Sequence, residues 1–326
     1  MEAWLIRNPG REGVLERTER PAPVCGPEEV LVSVRAIGLN RADLLQRRGL
    51  YPAPPWAPAD IPGLEYSGEV TAAGERVQRV AVGDRVMGLV AGGAYATELA
   101  VHEQDTLPVP GNLDWNAAAA FPEAYLTAYR ALFLEGGVQP GQWALVRAAT
   151  SSVGMAALQL LRLFGAFSLG SSRRRERLEA LGPDGPDVPI VDGERPLPDV
   201  VREASGDGAH VVLDMLGGEA LAEGLSALRD EGTLVLIGLL GGRKVELDTA
   251  RLLFRRLCIR AMTMRTLPLE RRLTLMAQAR ERLLPHLTRA RLTPRVDRVF
   301  DFAEANEALD AMADDRHLGK LVLQLA

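Results

Sequence analysis

From Trp143 onward, short apolar segments alternate with amphipathic segments, and this alternation restricts the possible folds more than any other feature of the sequence. The apolar segments are continuous, which is typical of strands buried on both faces of a parallel sheet. The segments between them repeat their apolar residues at helical spacing. The pattern therefore predicts an α/β domain with a doubly wound parallel sheet covered by helices on both faces. We predict strands over 143–149, 167–169, 210–216 and 233–237, and helices from an N-cap at Asp114 and over 124–134, 153–164, 174–181, 220–228 and 269–283.

The N-terminal third of the chain has a different pattern, which predicts a β-rich barrel or sandwich. Val30, Val32 and Val34 alternate with the residues between them at a period of two. This period is typical of a strand with one face more buried than the other. Glycines recur along the segments that follow, and 52–58 is a proline-rich loop that no helix or central strand would tolerate. The last part of the chain has a strand–helix–strand pattern that ends with a strand at 320–325. This last strand could return to the N-terminal domain.

Length and composition exclude several functional classes. A chain of 326 residues is long enough for two domains. The 38 basic and 43 acidic residues give a net charge of −5, which argues against a nucleic-acid partner. Two cysteines and four histidines exclude a disulfide scaffold and a four-thiolate zinc site. Because the N-terminus lacks a signal-peptide core and no apolar stretch could span a bilayer, we expect a cytoplasmic protein without a membrane partner.

The turn after the first strand of the α/β domain carries a dinucleotide-binding signal. Small residues occupy 150–154 and open a helix, so the backbone could approach a pyrophosphate at the helix N-terminus. Of the three glycines of the usual fingerprint Gly154 remains, whereas Ala149 and Ser152 stand where glycines usually lie. Ala149, Ser152, Val153 and Gly154 are therefore candidate cofactor-binding residues. An ordinary strand–helix turn is the alternative.

The end of the second predicted strand indicates which nucleotide the domain binds. An NAD site places an acidic residue there to bind the ribose 2′-hydroxyl, but this chain has no acid before Glu176. Ser172, Arg173, Arg174 and Arg177 instead suit the 2′-phosphate of NADP, because guanidinium groups bind phosphate bidentately. The alternative is a solvated helix start in a chain whose basic residues are almost all arginine.

Five segments spread along the chain resemble, in their order, motifs of one protein family. This family is the zinc-free, zeta-crystallin-like quinone oxidoreductases of the medium-chain dehydrogenase/reductase superfamily. The NRAD and PEAYLTA stretches resemble in particular its p53-inducible-type branch. The five segments are 38–51 (GLNRADLLQRRGLY), 62–68 (PGLEYSG), 82–86 (VGDRV), 121–128 (FPEAYLTA) and 317–323 (HLGKLVL).

The resemblance implies a fold and a division of the chain. A GroES-like β-rich catalytic domain would be formed from both ends of the chain, 1–120 and 264–326. A Rossmann NADP-binding domain would occupy 121–263, and NADPH would lie in the cleft between the two domains. Members of the family are commonly homodimers that pair their Rossmann sheets edge to edge.

The resemblance also implies roles for individual residues. Asn40 would hold the nicotinamide ribose, Tyr51 would line the quinone pocket, and Thr127 would lie near the nicotinamide. The alternatives are that Asn40 is a helix N-cap, Tyr51 a loop anchor and Thr127 a helix filler. The other implied cofactor contacts are Gly238 and Leu239 after the fifth Rossmann strand, Ser172, Arg174 and Arg177 at the adenosine phosphate, and Lys320, whose alternative is a surface position.

Three departures from the family and superfamily patterns affect the expected chemistry. Zinc alcohol dehydrogenases of the superfamily carry a His after Gly63, where this chain has Leu64, so we expect no metal site and no zinc-dependent alcohol oxidation. Ser152 replaces a glycine of the pyrophosphate turn, and its Cβ could crowd the cofactor. Asp192 stands where the family often has Tyr beside the adenosine. The last two departures count against tight NADPH binding.

The residues and the resemblance together lead to three hypotheses. The first is hydride transfer from NADPH to a quinone or similarly conjugated carbonyl, without metal, in a dry cleft that holds the two reactants together. The second is an enoyl or enone reductase, since related folds reduce carbon–carbon double bonds with the same hydride geometry. The third is a catalytically impaired nucleotide- or RNA-binding protein of the crystallin-like type.

Overall fold

In the part of the chain that the structure describes, the strands form three sheets. The computed structural model describes residues 1–10 and 13–326. Within these residues the strands are β1 (Glu2–Arg7), β2 (Val14–Glu19), β3 (Glu29–Gly38), β4 (Glu65–Ala73), β5 (Arg85–Leu89), β6 (Glu98–His102), β7 (Thr106–Pro108), β8 (Trp143–Val146), β9 (Phe167–Ser172), β10 (Val188–Val191), β11 (Ala209–Asp214), β12 (Leu228–Leu236), β13 (Cys258–Ala261), β14 (Val296–Asp301) and β15 (Lys320–Gln324).

Helices occur along the whole chain and connect most of the strands in its second half. They are α1 (Arg41–Arg47), α2 (Trp115–Ala119), α3 (Pro122–Tyr129), α4 (Ser152–Leu163), α5 (Arg175–Glu179), α6 (Leu197–Ser205), α7 (Glu219–Ala227), α8 (Thr249–Phe254), α9 (Leu269–Arg282), α10 (Leu284–Thr288) and α11 (Ala305–Ala313). A π-helical turn, Arg130–Glu135, follows α3. Among the described residues, none of the helices combines the length and the apolar character needed to cross a bilayer.

The chain divides into two compact units, of which one runs over Ala124–Thr263. Its six-stranded sheet has the order β10-β9-β8-β11-β12-β13, and every neighbouring pair is parallel. Counted from β8, this is the 3-2-1-4-5-6 order of dinucleotide-binding domains. Leu145, Leu169 and Leu234 are fully buried in its core. The predicted doubly wound parallel sheet is thereby confirmed.

The other unit combines Met1–Glu123 with Met264–Ala326. Its seven-stranded sheet runs β14-β15-β3-β4-β5-β7, and β6 also pairs with β3. The alternation read from the sequence is confirmed in β3, where Val30, Val32 and Val34 are buried. Because β15 lies antiparallel to β3, the C-terminal strand is part of the sheet of the N-terminal segment.

Several predicted boundaries are wrong, and the backbone gives the reasons. The first strand of the parallel sheet ends at Val146 rather than at 149, because Ala148 adopts a φ of 51° and turns the chain out of the strand. The helix predicted over 124–134 begins earlier, at Pro122, and its α-helical part ends at Tyr129, after which the π-helical turn begins at Arg130. The N-cap predicted at Asp114 is confirmed, since its side chain accepts a hydrogen bond from the Ala117 N–H.

Candidate functional site

The predicted pyrophosphate turn lies at the carboxyl end of β8, where parallel α/β sheets bind their ligands. Ser151 is the N-cap of α4, and its Oγ accepts a 3.1 Å hydrogen bond from the Gly154 N–H. A Cβ on Gly154 would lie 2.5 Å from the carbonyl oxygen of Ala148. Glycine is therefore required at 154 because the helix and the turn approach each other closely, and Ser152 is the first residue of α4. The N-terminus of α4 therefore lies beside the turn at this end of the sheet.

Residues of the predicted phosphate-binding cluster lie beside this turn. Ser172 ends β9 and is buried, with its Oγ 3.4 Å from the Thr150 Oγ1. The Arg174 N–H donates to the same Ser172 Oγ at 3.3 Å. The side chains of Arg173 and Arg174 are exposed, and Arg177 is half-buried. The structure thus brings hydroxyl groups and exposed guanidinium groups together at the end of β9.

Arg147 is the main functional candidate that the sequence pattern does not predict. It follows β8 directly and its side chain is buried. Its Nε donates to the Ser171 Oγ at 3.0 Å, and its Nη2 lies 3.0 Å from a carboxylate oxygen of Glu223 and 3.4 Å from one of Asp192. The available signal was a single charged residue within an otherwise apolar stretch.

Asp192 is expected from the sequence to bring a negative charge to the adenosine end of the site. Its backbone N–H donates to the Ser172 carbonyl at 3.0 Å, so it lies directly beside the predicted phosphate-binding cluster. Its carboxylate forms an ion pair with Arg147. The negative charge is therefore present at this edge, but a buried cation offsets it.

Two glycine-containing loops at the ends of β11 and β12 complete this edge of the sheet. A Cβ on Gly238 would lie 2.6 Å from the Met215 carbonyl, so only glycine allows the two loops to approach this closely. Asp214, at the end of β11, accepts hydrogen bonds from two backbone N–H groups of its loop, and burial raises the pKa of its carboxyl group. Leu239 is exposed next to Gly238.

Thr127 is buried on α3, and its hydroxyl group has no hydrogen-bond partner among residues 1–10 and 13–326. The same is true of one carboxylate oxygen of Asp214. A buried polar atom without a partner is unfavourable by about 1–3 kcal/mol. The Thr127 hydroxyl and this Asp214 oxygen both lie in the unit over Ala124–Thr263. A polar ligand bound to this unit could form hydrogen bonds with them.

The other unit contains a buried polar cluster that includes two predicted site residues. The Lys320 Nζ lies 2.6 Å from the Glu65 Oε1 and donates to the Asn40 Oδ1 at 2.7 Å. The Asn40 Nδ2 in turn donates to the Glu65 Oε1 at 2.9 Å. The second oxygen of Glu65 accepts the Glu123 N–H at 2.7 Å. Glu65, which the sequence reasoning did not select, is thus the acceptor that holds Asn40 and Lys320 together.

Asn40 is also the N-cap of α1, as its alternative interpretation states. Its backbone N–H donates to the Asp43 Oδ2 at 2.8 Å, while its carboxamide is bonded to Glu65 and Lys320. Asp43 is fully buried, and burial raises the pKa of its carboxyl group to about 7. The Tyr95 hydroxyl donates to the same Asp43 oxygen at 3.3 Å. Capping and site formation are therefore combined in one short helix.

Tyr51 lies in a loop that Arg265 fixes. The buried Arg265 guanidinium donates to the Tyr51 carbonyl at 2.9 Å and to the Gln46 Oε1 at 2.7 Å. It also lies 5.4 Å from the centroid of the Tyr51 ring, within cation–π range. The backbone of Tyr51 is thus anchored by Arg265, in agreement with its alternative interpretation as a loop anchor. Its ring is half-buried and lies against the same guanidinium.

The described part of the chain contains no group of three or more His, Cys, Asp or Glu side chains that could hold a metal ion. Leu64, which follows Gly63, is buried and supplies no ligand atom. Cys25 and Cys258 are both free cysteines.

Two family models match the chain. The model for the alcohol dehydrogenase GroES-like domain matches residues 26–111. The model for the zinc-binding dehydrogenase family matches residues 188–323. The first match confirms the expected GroES-like character of the β-rich domain.

Related proteins align along nearly the whole chain. The human synaptic vesicle membrane protein VAT-1 homolog is 32% identical over 323 residues, which cover 93% of this chain and 81% of that protein. The mouse quinone oxidoreductase-like protein 2 is 28% identical over 307 residues, covering 94% and 87%. Among solved structures, the quinone oxidoreductase of Thermus thermophilus, studied alone and with NADPH, is 35% identical with a TM-score of 0.83 and full coverage of both chains.

Proposed function

Since the chain belongs to the zinc-free quinone oxidoreductase family of the medium-chain dehydrogenase/reductase superfamily, an oxidoreductase family, we propose that it reduces quinones or similarly conjugated carbonyls with NADPH. The observation that carries this proposal is the end of β9, where the buried Ser172 is followed by the exposed Arg173 and Arg174, and the sequence has no acidic residue between this strand end and Glu176. Guanidinium groups at this position suit a 2′-phosphate. The NADPH complex of the Thermus thermophilus relative supports the same cofactor.

The unit over Ala124–Thr263, called the α/β unit below, offers groups that fit such a dinucleotide. We assign the pyrophosphate to the turn of Ala149, Ser152, Val153 and Gly154, next to the N-terminus of α4. Gly238 lies where the loops after β11 and β12 approach too closely for a Cβ atom, and we assign Gly238 to the cofactor contacts at the same end of the sheet.

Further contacts are assigned from their chemistry. The adenosine phosphate would bind Ser172, Arg173, Arg174 and Arg177. Leu239 would contact the cofactor beside Gly238. The unpartnered hydroxyl of Thr127 would gain a hydrogen-bond partner near the nicotinamide.

When bound, NADPH supplies a hydride from its nicotinamide ring. The protein's own residues would then bind and orient the reactants. The Tyr51 hydroxyl would donate a hydrogen bond to the acceptor carbonyl, or the ring would only line the pocket. Asn40, whose carboxamide Lys320 and Glu65 hold in place, would contact the nicotinamide ribose.

We further propose that the reaction proceeds without zinc. Leu64 is an apolar, buried residue where zinc-dependent members would carry a histidine ligand. A quinone is already electrophilic, so orientation and one hydrogen-bond donor are sufficient to polarise it.

We also propose a homodimer formed through the edge of the parallel sheet. β13 is one of the two edge strands of this sheet, and its Ile259 is exposed. Leu253 and Phe254 on the preceding α8 are 71% and 75% exposed, an apolar patch that a second copy would cover.

The proposed function is tested by measuring oxidation of NADPH and of NADH with 1,2- and 1,4-quinones, α,β-unsaturated ketones and acyl thioesters. We expect NADPH with a quinone to give the highest kcat/KM. Higher kcat/KM with enones or thioesters would instead support an alkene reductase. Absence of NADPH binding in a fluorescence titration up to high micromolar concentrations would support a catalytically impaired nucleotide- or RNA-binding protein.

A variant pair tests the cofactor assignment. Arg174→Ala should raise the KM for NADPH and leave that for NADH unchanged. Arg202→Ala is the matched control, because Arg202 lies on α6 in an exposed ion pair with Asp199. An equal change for both nucleotides in Arg174→Ala would contradict the phosphate-binding role.

A further inference from the structure

The loop that follows β10 brings two acidic residues to the edge where the 2′-phosphate is proposed to bind. Glu194 forms an ion pair with Arg175, at the first turn of α5. Asp192 is the first residue after β10, and its N–H donates to the Ser172 carbonyl. A carboxylate beside a phosphate site would repel NADPH, and it could accept a hydrogen bond from the free 2′-hydroxyl of NADH.

The Arg147 guanidinium lies beside the Asp192 carboxylate and is held there by further contacts. It lies 3.4 Å from one oxygen of Asp192 and 3.0 Å from Glu223, and its Nε is fixed by the Ser171 Oγ. A further N–H is directed at the carbonyl of Ala220, 3.4 Å away. Four groups on β9, α7 and the loop after β10 thus hold the guanidinium in one position.

We propose that Arg147 is a specificity-determining residue that makes the Asp192 position compatible with NADPH. It binds one carboxylate oxygen and offsets part of the negative charge, so that the 2′-phosphate meets Ser172 and Arg174 with less repulsion from Asp192. This inference rests on the proposed NADPH-dependent function and adds the origin of its nucleotide preference. Arg147 acts through Asp192 and is a positioning residue, since its side chain is buried beneath the edge.

The charge balance explains why the effect should be selective. NADPH differs from NADH by the 2′-phosphate and its two negative charges. An unpaired Asp192 carboxylate beside the proposed phosphate site would repel this group and would therefore weaken NADPH more than NADH. Because Arg147 is buried, solvent screens its interaction with Asp192 only weakly. Loss of the guanidinium should therefore change the ratio of the two dissociation constants rather than their common value.

The experiment measures the dissociation constants of NADPH and NADH by nucleotide fluorescence in four proteins: the wild type, Arg147→Met, Asp192→Asn, and the double variant. We expect Arg147→Met to lower the preference for NADPH by about tenfold. The double variant should restore the preference, because the carboxylate that repels the phosphate is gone. Asp192→Asn alone should raise the preference, since Arg147 then has one acid fewer to offset.

Two further variants separate a specific effect from a structural one. Arg147→Lys retains the charge and should keep most of the preference for NADPH. Arg202→Met removes an exposed arginine from the same unit and should leave both constants unchanged. A partly unfolded sample lowers the binding of both nucleotides equally and leaves their ratio intact.

The proposal is wrong if Arg147→Met weakens both nucleotides by the same factor, or if the double variant keeps the altered ratio. Should Arg147→Met be insoluble, Asp192→Asn decides alone, and a preference that does not rise contradicts the proposal. A wild type that binds neither nucleotide would instead overturn the proposed function itself.

Discussion

Lys320 in one unit and Arg147 in the other are buried cations beside acidic groups, but the two arrangements differ in how open they are to solvent. The side chains of Lys320 and Arg147 are both 3% exposed. The partner of Lys320 is Glu65, which is fully buried, whereas the partners of Arg147, Asp192 and Glu223, are 23% and 44% exposed. The first ion pair is closed on all sides, and the second is closed only on the side of the cation.

This difference indicates two different uses of a buried charge. A fully buried ion pair interacts only weakly with solvent or ligand, and each buried charge needs its partner to compensate it. Lys320 and Glu65 therefore serve to fix the Asn40 carboxamide. A pair with one open side responds to a charge that arrives at the surface. Arg147 and Asp192 can therefore take part in nucleotide selection, whereas Lys320 and Glu65 should act mainly through stability and orientation.

The largest expected effect follows from breaking the closed pair. Lys320→Met leaves the Glu65 carboxylate buried without its cation and should lower the free energy of unfolding by about 3–5 kcal/mol. Urea denaturation followed by circular dichroism measures this change. Adding Glu65→Gln should recover part of the loss, because the uncompensated charge is removed. A loss as small as that of an exposed arginine would show that the pair is not closed.

The second prediction concerns the pH dependence of stability near the same cluster. Burial raises the pKa of Asp43 from 3.8 to about 7, so the folded state binds a proton more tightly than the unfolded state. Stability should therefore fall as the pH rises from about 4 to about 7, by up to ~1.4 kcal/mol per pH unit from this group. Asp43→Asn should remove that contribution.

Urea midpoints of the wild type and Asp43→Asn, measured between about pH 5 and pH 8, test this prediction. The difference should move in favour of the variant as the pH rises and should level off above the raised pKa. A difference that is constant with pH would mean that Asp43 does not titrate in this range.

A smaller effect is expected for Tyr51, and it distinguishes the roles of the two units. Tyr51→Phe removes the proposed hydrogen bond to the acceptor and should lower kcat/KM for a quinone by about three- to tenfold. The dissociation constant for NADPH should remain unchanged, since Tyr51 is assigned to the acceptor and not to the cofactor. Steady-state rates and a fluorescence titration give the two values. Equal losses in both would remove Tyr51 from the acceptor site.

The smallest effect is expected for an exposed ion pair in the same unit as Lys320. Arg7 lies 2.8 Å from Glu16, and their side chains are 46% and 57% exposed. Arg7→Met should leave the urea midpoint within experimental error, because solvent and salt screen such a pair. A loss comparable to that of Lys320→Met would invalidate the distinction by exposure.

The sequence was sufficient for the parallel sheet and for most of its strands, because continuous apolar segments have few other ways to be buried. It also located the turn at Gly154 and the cluster at Ser172 and Arg174, which local spacing defines. Boundaries were less accurate where a single residue changes the backbone direction. Ala148, with its positive φ, ends β8 earlier than its apolar character suggests.

The sequence by itself determined the α/β and β-rich parts, and the family resemblance selected Asn40 and Lys320 as site residues. Only the tertiary structure joined these two residues through Glu65, since they are far apart in the chain and β15 must first pair with β3. Only the tertiary structure revealed Arg147 as the partner of Asp192. The physical reason is that hydrophobic periodicity is a local property, whereas the pairing of buried charges depends on which strand ends and helices meet in three dimensions.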